Sequence, residues 1–265
     1  MLIDEKTKVI TEILKRVVAS GFVKNAYPLS AILIAPVGAG KTTQLKKIAF
    51  NKNILALSDV TPYGLSKLLP EIKARDVRHL IIFDLVEPFS RSRTIVNNLI
   101  GFLNSLIEEG IFRIQTAFIE IKEPIKLGLI TSTTEKEFLD KRRGWLGIGF
   151  ISRMLPISFS YTNTDVIKIL EDLANQKYQD IKYETLKLKE KEIKENPAIN
   201  QKLIPYAQSI DKKLPEIALP FRRLQQLKIL LMANALLNDR KEVTEEDFEF
   251  FKSVSNWINF DFNPL

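Results

Sequence analysis

The stretch AILIAPVGAGKTT, residues 31–43, decides the fold of this chain. An apolar run at 31–34 is typical of a buried strand, and the helical pattern TQLKKIAF follows the loop. Gly38 and Gly40 allow the backbone to curl around an anion, so that its N–H groups and the next helix N-terminus point inward. This order of strand, glycine loop and helix predicts that the chain binds a nucleoside triphosphate.

Two side chains of this loop have separate tasks. Lys41 would reach the β- and γ-phosphates, and the Thr42 hydroxyl would hold Mg²⁺. The full motif G-x-x-x-x-G-K-[ST] begins with glycine, whereas this chain has Ala35 there. An ordinary strand-to-helix turn is the alternative, and the flanking strand and helix favour the nucleotide. The residues predicted to bind it are Ala35, Pro36, Val37, Gly38, Ala39, Gly40, Lys41, Thr42 and Thr43.

Composition restricts the class of protein. The chain has 265 residues, 45% hydrophobic and 27% charged, which is typical of a globular protein. It has no cysteine and a single histidine, so thiolate and histidine-clustered metal sites are excluded. No apolar run could span a bilayer and the N-terminus is too charged for a secretory signal, so we expect a cytoplasmic protein without a membrane partner. The net charge of +7 leaves nucleic acid open as a partner.

Strand and helix patterns alternate through the first part of the chain. This alternation predicts an α/β fold, a P-loop parallel sheet of about five strands with flanking helices. Besides the strand before the loop, the sequence predicts strands at 53–59, 79–84, 126–130 and 156–161.

Beyond residue 164 the periodicity is helical and no buried strand is predicted. We therefore divide the chain into an α/β domain at 1–160 and a small all-α lid domain at 161–265. Within the second domain, residues 182–196 are dense in Lys and Glu at helical spacing, which favours a solvated helix face.

The strand HLIIFD ends in Asp84. Ligands of a parallel sheet lie beyond the carboxyl ends of its strands, so Asp84 and the glycine loop should converge. Asp84 could then hold Mg²⁺ together with Thr42. An aspartate that only terminates the strand is the alternative.

In order and spacing these pieces resemble the AAA+ ATPases over nearly the whole chain. APVGAGKTT resembles the family's Walker A motif, and LIIFD its Walker B motif. LGLITSTT resembles the strand of sensor 1, which implies that Thr131 or Ser132 positions the attacking water. GFISRM resembles the arginine-finger segment, which implies Arg153. LPFRRLQQLKILLMANAL resembles the sensor 2 helix, which implies Arg222 at the nucleotide and leaves Arg223 as a flanking basic residue.

One position departs from that family. An acidic residue usually follows the Walker B aspartate and acts as general base, but this chain has Leu85 there. Glu87 is the nearest carboxylate and hence the candidate base. The family's other residues favour an ATPase that remodels a macromolecule, with DNA in replication, transposition or a mobile element as first candidate. Leu85 favours a nucleotide-switched loader or scaffold with little hydrolysis.

The resemblance also implies cofactors and partners. ATP and Mg²⁺ are the cofactors, and an arginine finger at Arg153 implies a ring or filament of identical subunits. DNA and a protein client are the other candidate partners.

Some segments resemble one branch of the family, the minichromosome maintenance helicases and magnesium-chelatase-like ATPases. The resemblance is to members of an archaeal, viral or mobile-element type. These segments are GLSKLL, EEGIFRIQTAFIEIK and RRLQQLKILLMANAL. The branch implies a pore hairpin at 111–122 with Arg113 and Lys122, and a simple extension of the sheet is the alternative. KRRGWLGIGF, residues 141–150, is interpreted as a loop whose cations and Trp145 grip nucleic acid or form a subunit interface.

Overall fold

The computed structural model describes residues 5–110, 114–115, 120–121, 125–147, 149–177, 180–212, 214 and 219–265. The strands are β1 (Ser30–Ala35), β2 (Ile54–Leu57), β3 (His79–Ile82), β4 (Ile114–Gln115), β5 (Glu120–Ile121), β6 (Gly128–Thr134) and β7 (Met154–Ser158). The α-helices are α1 (Lys8–Ser20), α2 (Lys41–Ala49), α3 (Pro62–Ala74), α4 (Val86–Phe89), α5 (Arg93–Asn104), α6 (Glu135–Gly147), α7 (Asn163–Ala174), α8 (Pro197–Lys202), α9 (Ile204–Ile210), α10 (Phe221–Leu237) and α11 (Glu245–Val254). A π-helical turn, Ser105–Glu109, continues α5, and short 3₁₀ turns lie at Ile151–Arg153 and Ser255–Trp257.

Five strands form one parallel sheet in the order β2-β3-β6-β1-β7. All six residues of β1 are buried, as expected for a strand with layers packed on both faces. The predicted α/β fold is therefore confirmed, together with a mostly helical C-terminal region. Several strand boundaries differ from prediction, most clearly those of β6 and β7. β6 runs on through the Thr/Ser cluster to Thr134, and β7 begins at Met154, two residues before the predicted start.

Local sequence signals explain several helix ends. Thr61 caps α3, its Oγ1 accepting the N–H of Gly64 at 3.0 Å, and Pro62 occupies the first turn as predicted. The helical stretch that begins at α5 ends at Gly110, whose φ of +77° favours glycine. The buried face of α1 packs against α2 and α10, which joins the N-terminal helix to the sheet region and to the C-terminal helices.

Residues 182–196 correct the sequence interpretation, because this stretch contains no α-helix. It forms an extended strap whose backbone bonds to other parts of the chain. The N–H of Lys191 donates to the carbonyl oxygen of Phe22 at 3.0 Å, and Ile193 is fully buried. Helical charge spacing is a weak preference, and these tertiary contacts override it.

Residues 141–150 also differ from the predicted loop. The first seven continue α6, and Trp145 is 3% exposed. Its ring packs edge-on against Phe89 and Phe150, so it belongs to the core and does not stack on nucleic acid.

The predicted hairpin at 111–122 lies partly within the described residues. β4 and β5 pair antiparallel, Ile114 opposite Ile121, which agrees with a hairpin. Arg113 and Lys122 lie outside the described residues.

Candidate nucleotide site

The glycine loop at residues 36–40, the candidate phosphate loop, joins the carboxyl end of β1 to the first turn of α2. Gly38 and Gly40 have φ angles of +78° and +81°, a conformation that side chains with a Cβ rarely adopt. Gly40 is also the N-cap of α2. Because the first N–H groups of a helix have no intrahelical partner, this end of α2 is suited to bind an anion.

Lys41 is the first residue of α2 and folds against the loop. Its Nζ donates to the carbonyl oxygens of Ala35 at 3.0 Å and Pro36 at 2.9 Å, and the residue is 8% exposed. Burial lowers the pKa of the ammonium group, and the charge of the Asp84 carboxylate partly opposes this shift. The electrostatic coupling agrees with the expectation that Asp84 and the loop converge.

Oxygen ligands suited to Mg²⁺ lie at this edge of the sheet. Asp84 follows β3, and its Oδ1 accepts the N–H of Val86 at 3.0 Å. Thr42 lies in the first turn of α2 and is exposed. A carboxylate and a hydroxyl fit Mg²⁺, which usually combines one or two protein ligands with substrate phosphates. Among the described residues no group of three or more His, Cys, Asp or Glu could form an all-protein cage.

The position after Asp84 faces the core. Leu85 is completely buried, and its N–H donates to the carbonyl oxygen of Ser132 at 3.0 Å. Glu87 lies on the four-residue helix α4 and is exposed to solvent. The structure therefore has no acidic side chain directly beside Asp84 along the chain, and Glu87 faces outward.

The structure does not bring Thr131 to the phosphate loop. Its Cα pairs with Ile32 on one side and Ile82 on the other, within the sheet. Its Oγ1 is buried and has no hydrogen-bond partner within the part of the chain that the structure describes. β6 continues to Thr134, which pairs with Ala35 at the start of the loop. Thr134 is thus the polar residue of this strand that lies at the carboxyl edge.

Ser132, the alternative for the same role, is also committed to the interior. Its Oγ donates to the carbonyl oxygen of Phe83 at 2.7 Å, and the residue is 1% exposed. The hydroxyl supports the end of β3 from the neighbouring strand.

Two residues near the loop were missed by the sequence analysis. The Tyr161 hydroxyl donates to the carbonyl oxygen of Ala39 at 3.1 Å. Glu135 begins α6 and lines a cavity of about 390 Å³ together with Pro36 and Val37. Both follow the carboxyl end of a strand, and that position is the sequence signal that could have found them.

Both candidate arginines lie at the opposite, amino edge of the sheet. Arg153 directly precedes β7, donates from Nη1 to the carbonyl oxygen of Gly149 at 2.8 Å and forms an ion pair with Glu108. Arg222 lies near the start of α10, donates to Ser152 Oγ at 2.6 Å and pairs with the same carboxylate. The structure thus brings the two arginines together through one glutamate.

The length of β1 separates these arginines from the phosphate loop. Ser30, the first residue of β1, lines the same cavity as Arg153 and Arg222, whereas Ala35, the last, begins the loop. A strand of six residues spans about 17 Å. The structure therefore does not bring Arg222 to the nucleotide loop of its own chain.

Arg223, which the sequence places as a flanking basic residue, lies in the interior of the protein. It is 1% exposed, and its Nη1 donates to the carbonyl oxygen of Met154 at 2.5 Å. Its guanidinium also pairs with Asp211 at 3.0 Å. These contacts attach the start of α10 to the start of β7 and hold Arg222 near Ser152.

Comparison with known proteins gives a partial match. Residues 198–261, from α8 to beyond α11, match a family model described as an AAA lid domain. No curated protein matches the chain. None of the helices in the described ranges has the length and apolar character needed to cross a bilayer. The lid match, together with the parallel sheet and its glycine loop, supports an AAA+ ATPase.

Proposed function

We propose that this chain is an ATPase that works as an oligomer and couples ATP hydrolysis to the remodelling of a macromolecule. The observation that carries this proposal is the division of charged groups between the two edges of the sheet. Lys41 and Asp84 lie at the carboxyl edge, whereas Arg153 and Arg222 lie at the amino edge. A site that needs both sets must combine two copies of the chain.

At the carboxyl edge, each group has a defined task in the proposed reaction. The loop N–H groups and Lys41 bind the β- and γ-phosphates, and Tyr161 holds the loop through Ala39. Thr42 and Asp84 would hold Mg²⁺, which supplies charge neutralisation at the phosphates. The family resemblance implies that Thr131 positions the water. Because Thr131 lies within the sheet, we assign that task to Thr134, which lies at the carboxyl edge.

At the amino edge, we propose that the arginines act on the nucleotide of a neighbouring subunit. Arg153 supplies positive charge to the transferring phosphoryl group. Arg222 shares Glu108 with Arg153, so we propose that Arg222 acts with it and not on its own nucleotide. This arrangement is heterologous and gives a ring or a filament.

Other parts of the proposal rest on the sequence. We propose that residues 1–160 form the ATPase domain and 161–265 the lid, in a cytoplasmic protein of the minichromosome maintenance and magnesium-chelatase-like branch. DNA is the proposed substrate, supported by the net charge of +7 and by the antiparallel pair β4–β5. A protein client is the alternative substrate.

The lack of an acidic residue directly after Asp84 favours a second function, that of a loader or scaffold. Leu85 is buried where the family has a catalytic carboxylate, and Glu87 is exposed. A chain without a base beside the water would bind ATP and switch its assembly state with little hydrolysis. It would then be a loader or scaffold.

The ATPase rate tests these functions when it is measured across protein concentrations, with and without single-stranded and double-stranded DNA. We expect the rate per subunit to rise with concentration and to rise further with DNA. A rate per subunit that is independent of concentration down to monomer would contradict the oligomeric ATPase. ATP-dependent assembly without turnover would establish the scaffold function.

A further inference from the structure

A cavity of about 780 Å³ opens at the amino edge of the sheet, away from the phosphate loop. Its polar lining includes Lys126, Arg153 and Arg222. Tyr27 and Phe221, which also line it, are 63% and 72% exposed. The cavity thus combines three cations with exposed aromatic rings.

One carboxylate lies among these cations. Glu108 forms ion pairs with Arg153 through one oxygen and with Arg222 through the other. Burial lowers the pKa of Lys126, and the charge of Glu108 opposes that shift. The Lys126 ammonium group lies 3.2 Å from the centroid of the Tyr27 ring. Among the described residues that line the cavity, three positive groups therefore face a single negative group.

The local backbone places Glu108 in an irregular element. It lies in the π-helical turn Ser105–Glu109, directly before Gly110, whose φ is +77°. π-Helical turns are rare and occur frequently at functional sites. The Glu108 side chain is 33% exposed and that of Arg222 is 39% exposed, so solvent and solutes reach the pair.

We propose that Glu108 occupies an anion site formed by Arg153, Arg222 and Lys126, and that a phosphoryl group replaces its carboxylate when the site is engaged. A phosphoryl group carries more negative charge than a carboxylate and presents three acceptor oxygens to the two guanidinium forks. Glu108 holds the arginines in place and lowers their affinity for other anions. It therefore sets how readily a neighbouring nucleotide engages them.

The existence of this anion site does not depend on the proposed function, but the source of the phosphoryl group does. A free polyphosphate and the nucleotide of a second copy offer the same chemistry. Two measurements distinguish these sources.

The first measurement is calorimetric titration with inorganic tripolyphosphate in the Lys41→Ala background, which weakens the phosphate loop. We expect Glu108→Gln to tighten binding about tenfold or more, because an isosteric neutral amide no longer competes for the cations. Adding Arg153→Ala and Arg222→Ala should remove this binding. Glu71→Gln is the matched control, since Glu71 pairs with Arg75 at 2.7 Å on the exposed face of α3. Unchanged or weaker binding in Glu108→Gln would overturn the proposal, and circular dichroism verifies that each variant is folded.

The second measurement is the ATPase rate against protein concentration, with Lys41 intact. We expect Glu108→Gln to reach half-maximal rate at a concentration several-fold lower than the wild type, and the control Glu71→Gln to behave like the wild type. A Glu108→Gln variant with a lower rate at every concentration would mean that Glu108 only positions the arginines. If the wild type does not hydrolyse ATP, the proposed ATPase fails, and the tripolyphosphate titration still decides whether Glu108 occupies an anion site.

Discussion

The two edges of the sheet are built in different ways. At the carboxyl edge, one continuous stretch supplies the glycine loop, Lys41 and Thr42, and backbone N–H groups provide much of the site. At the amino edge, Glu108, Arg153 and Arg222 come from three distant parts of the chain, and side chains provide the whole site. The first edge is suited to bind a nucleotide and the second to add charge to one.

If the proposed function holds, this difference means that a single chain contributes two halves of different sites. A parallel sheet is rigid, so its two edges stay about 17 Å apart. Under the proposed function, the arginines of one copy would serve the loop of another copy. Substitutions at the two edges test this division.

Arg153→Ala should have the largest effect. We expect ATP affinity to be retained, because Lys41 and the loop lie at the other edge, and turnover to fall by about 10³ to 10⁵. Steady-state ATPase rates and titration with a fluorescent ATP analogue measure the two quantities.

Mixing variants sharpens the Arg153 prediction. Arg153→Ala and Lys41→Ala subunits, each inactive alone, should regain some activity together, because one contributes an intact loop and the other an intact arginine. Mixed oligomers that form and stay inactive would show that Arg153 does not act between subunits.

Lys41→Ala tests the carboxyl edge. Charge-assisted hydrogen bonds contribute about 1.5–3 kcal/mol each, and Lys41 would form two with the phosphates, so ATP affinity should fall by about 10² to 10⁴. Equilibrium titration with a fluorescent ATP analogue measures the change. Unchanged affinity in a folded variant would contradict the phosphate-loop assignment.

Glu87→Gln tests the general base. If Glu87 acts as the base despite its exposure, ATP binding should be retained and hydrolysis should fall by about 10² to 10⁴, because an amide does not accept a proton from water. Glu135→Gln is the comparison, since Glu135 lines the cavity beside the loop. Loss of hydrolysis in Glu135→Gln alone would move the base from α4 to α6.

The pH dependence of the free energy of unfolding tests the burial of His79 at the amino edge. His79 is the first residue of β3, its ring Nε2 lies 3.1 Å from the carbonyl oxygen of Leu29, and burial lowers its pKa to about 4. The unfolded chain takes up this proton near pH 6.5 while the folded chain does not. The free energy of unfolding should therefore decrease as pH falls from about 6.5 to about 4, by about 3 kcal/mol in total.

Chemical denaturation between pH 5 and 7 measures this effect, since the chain has one histidine. His79→Gln should lose most of the pH dependence in that window. An equal slope in both proteins would mean that another group titrates.

Tyr161→Phe should have the smallest effect. It removes one hydrogen bond, the donation from the hydroxyl to Ala39 O at 3.1 Å, which contributes about 0.5–1.5 kcal/mol. ATP affinity should fall by two- to tenfold. Tyr63→Phe, at an exposed tyrosine on α3, is the control and should leave affinity unchanged.

Contiguous sequence was enough to predict the parallel fold and the conformation of the glycine loop. The β1 pattern, Gly38, Gly40 and Lys41 act through neighbours in the chain, so spacing and residue type were enough to predict them. Thr61 and Pro62 marked the start of α3 for the same reason.

Only the tertiary structure decided the rest. Whether Thr131 reaches the strand edge depends on register, which its own segment does not encode. Trp145 is core because Phe89 and Phe150 pack against it, and residues 182–196 are extended because distant backbone groups pair with them. Arg222 lies with Arg153 because Glu108 joins them across long separations in sequence. Local patterns report local backbone preference, whereas the position of a side chain at one edge or the other follows from packing of the whole chain.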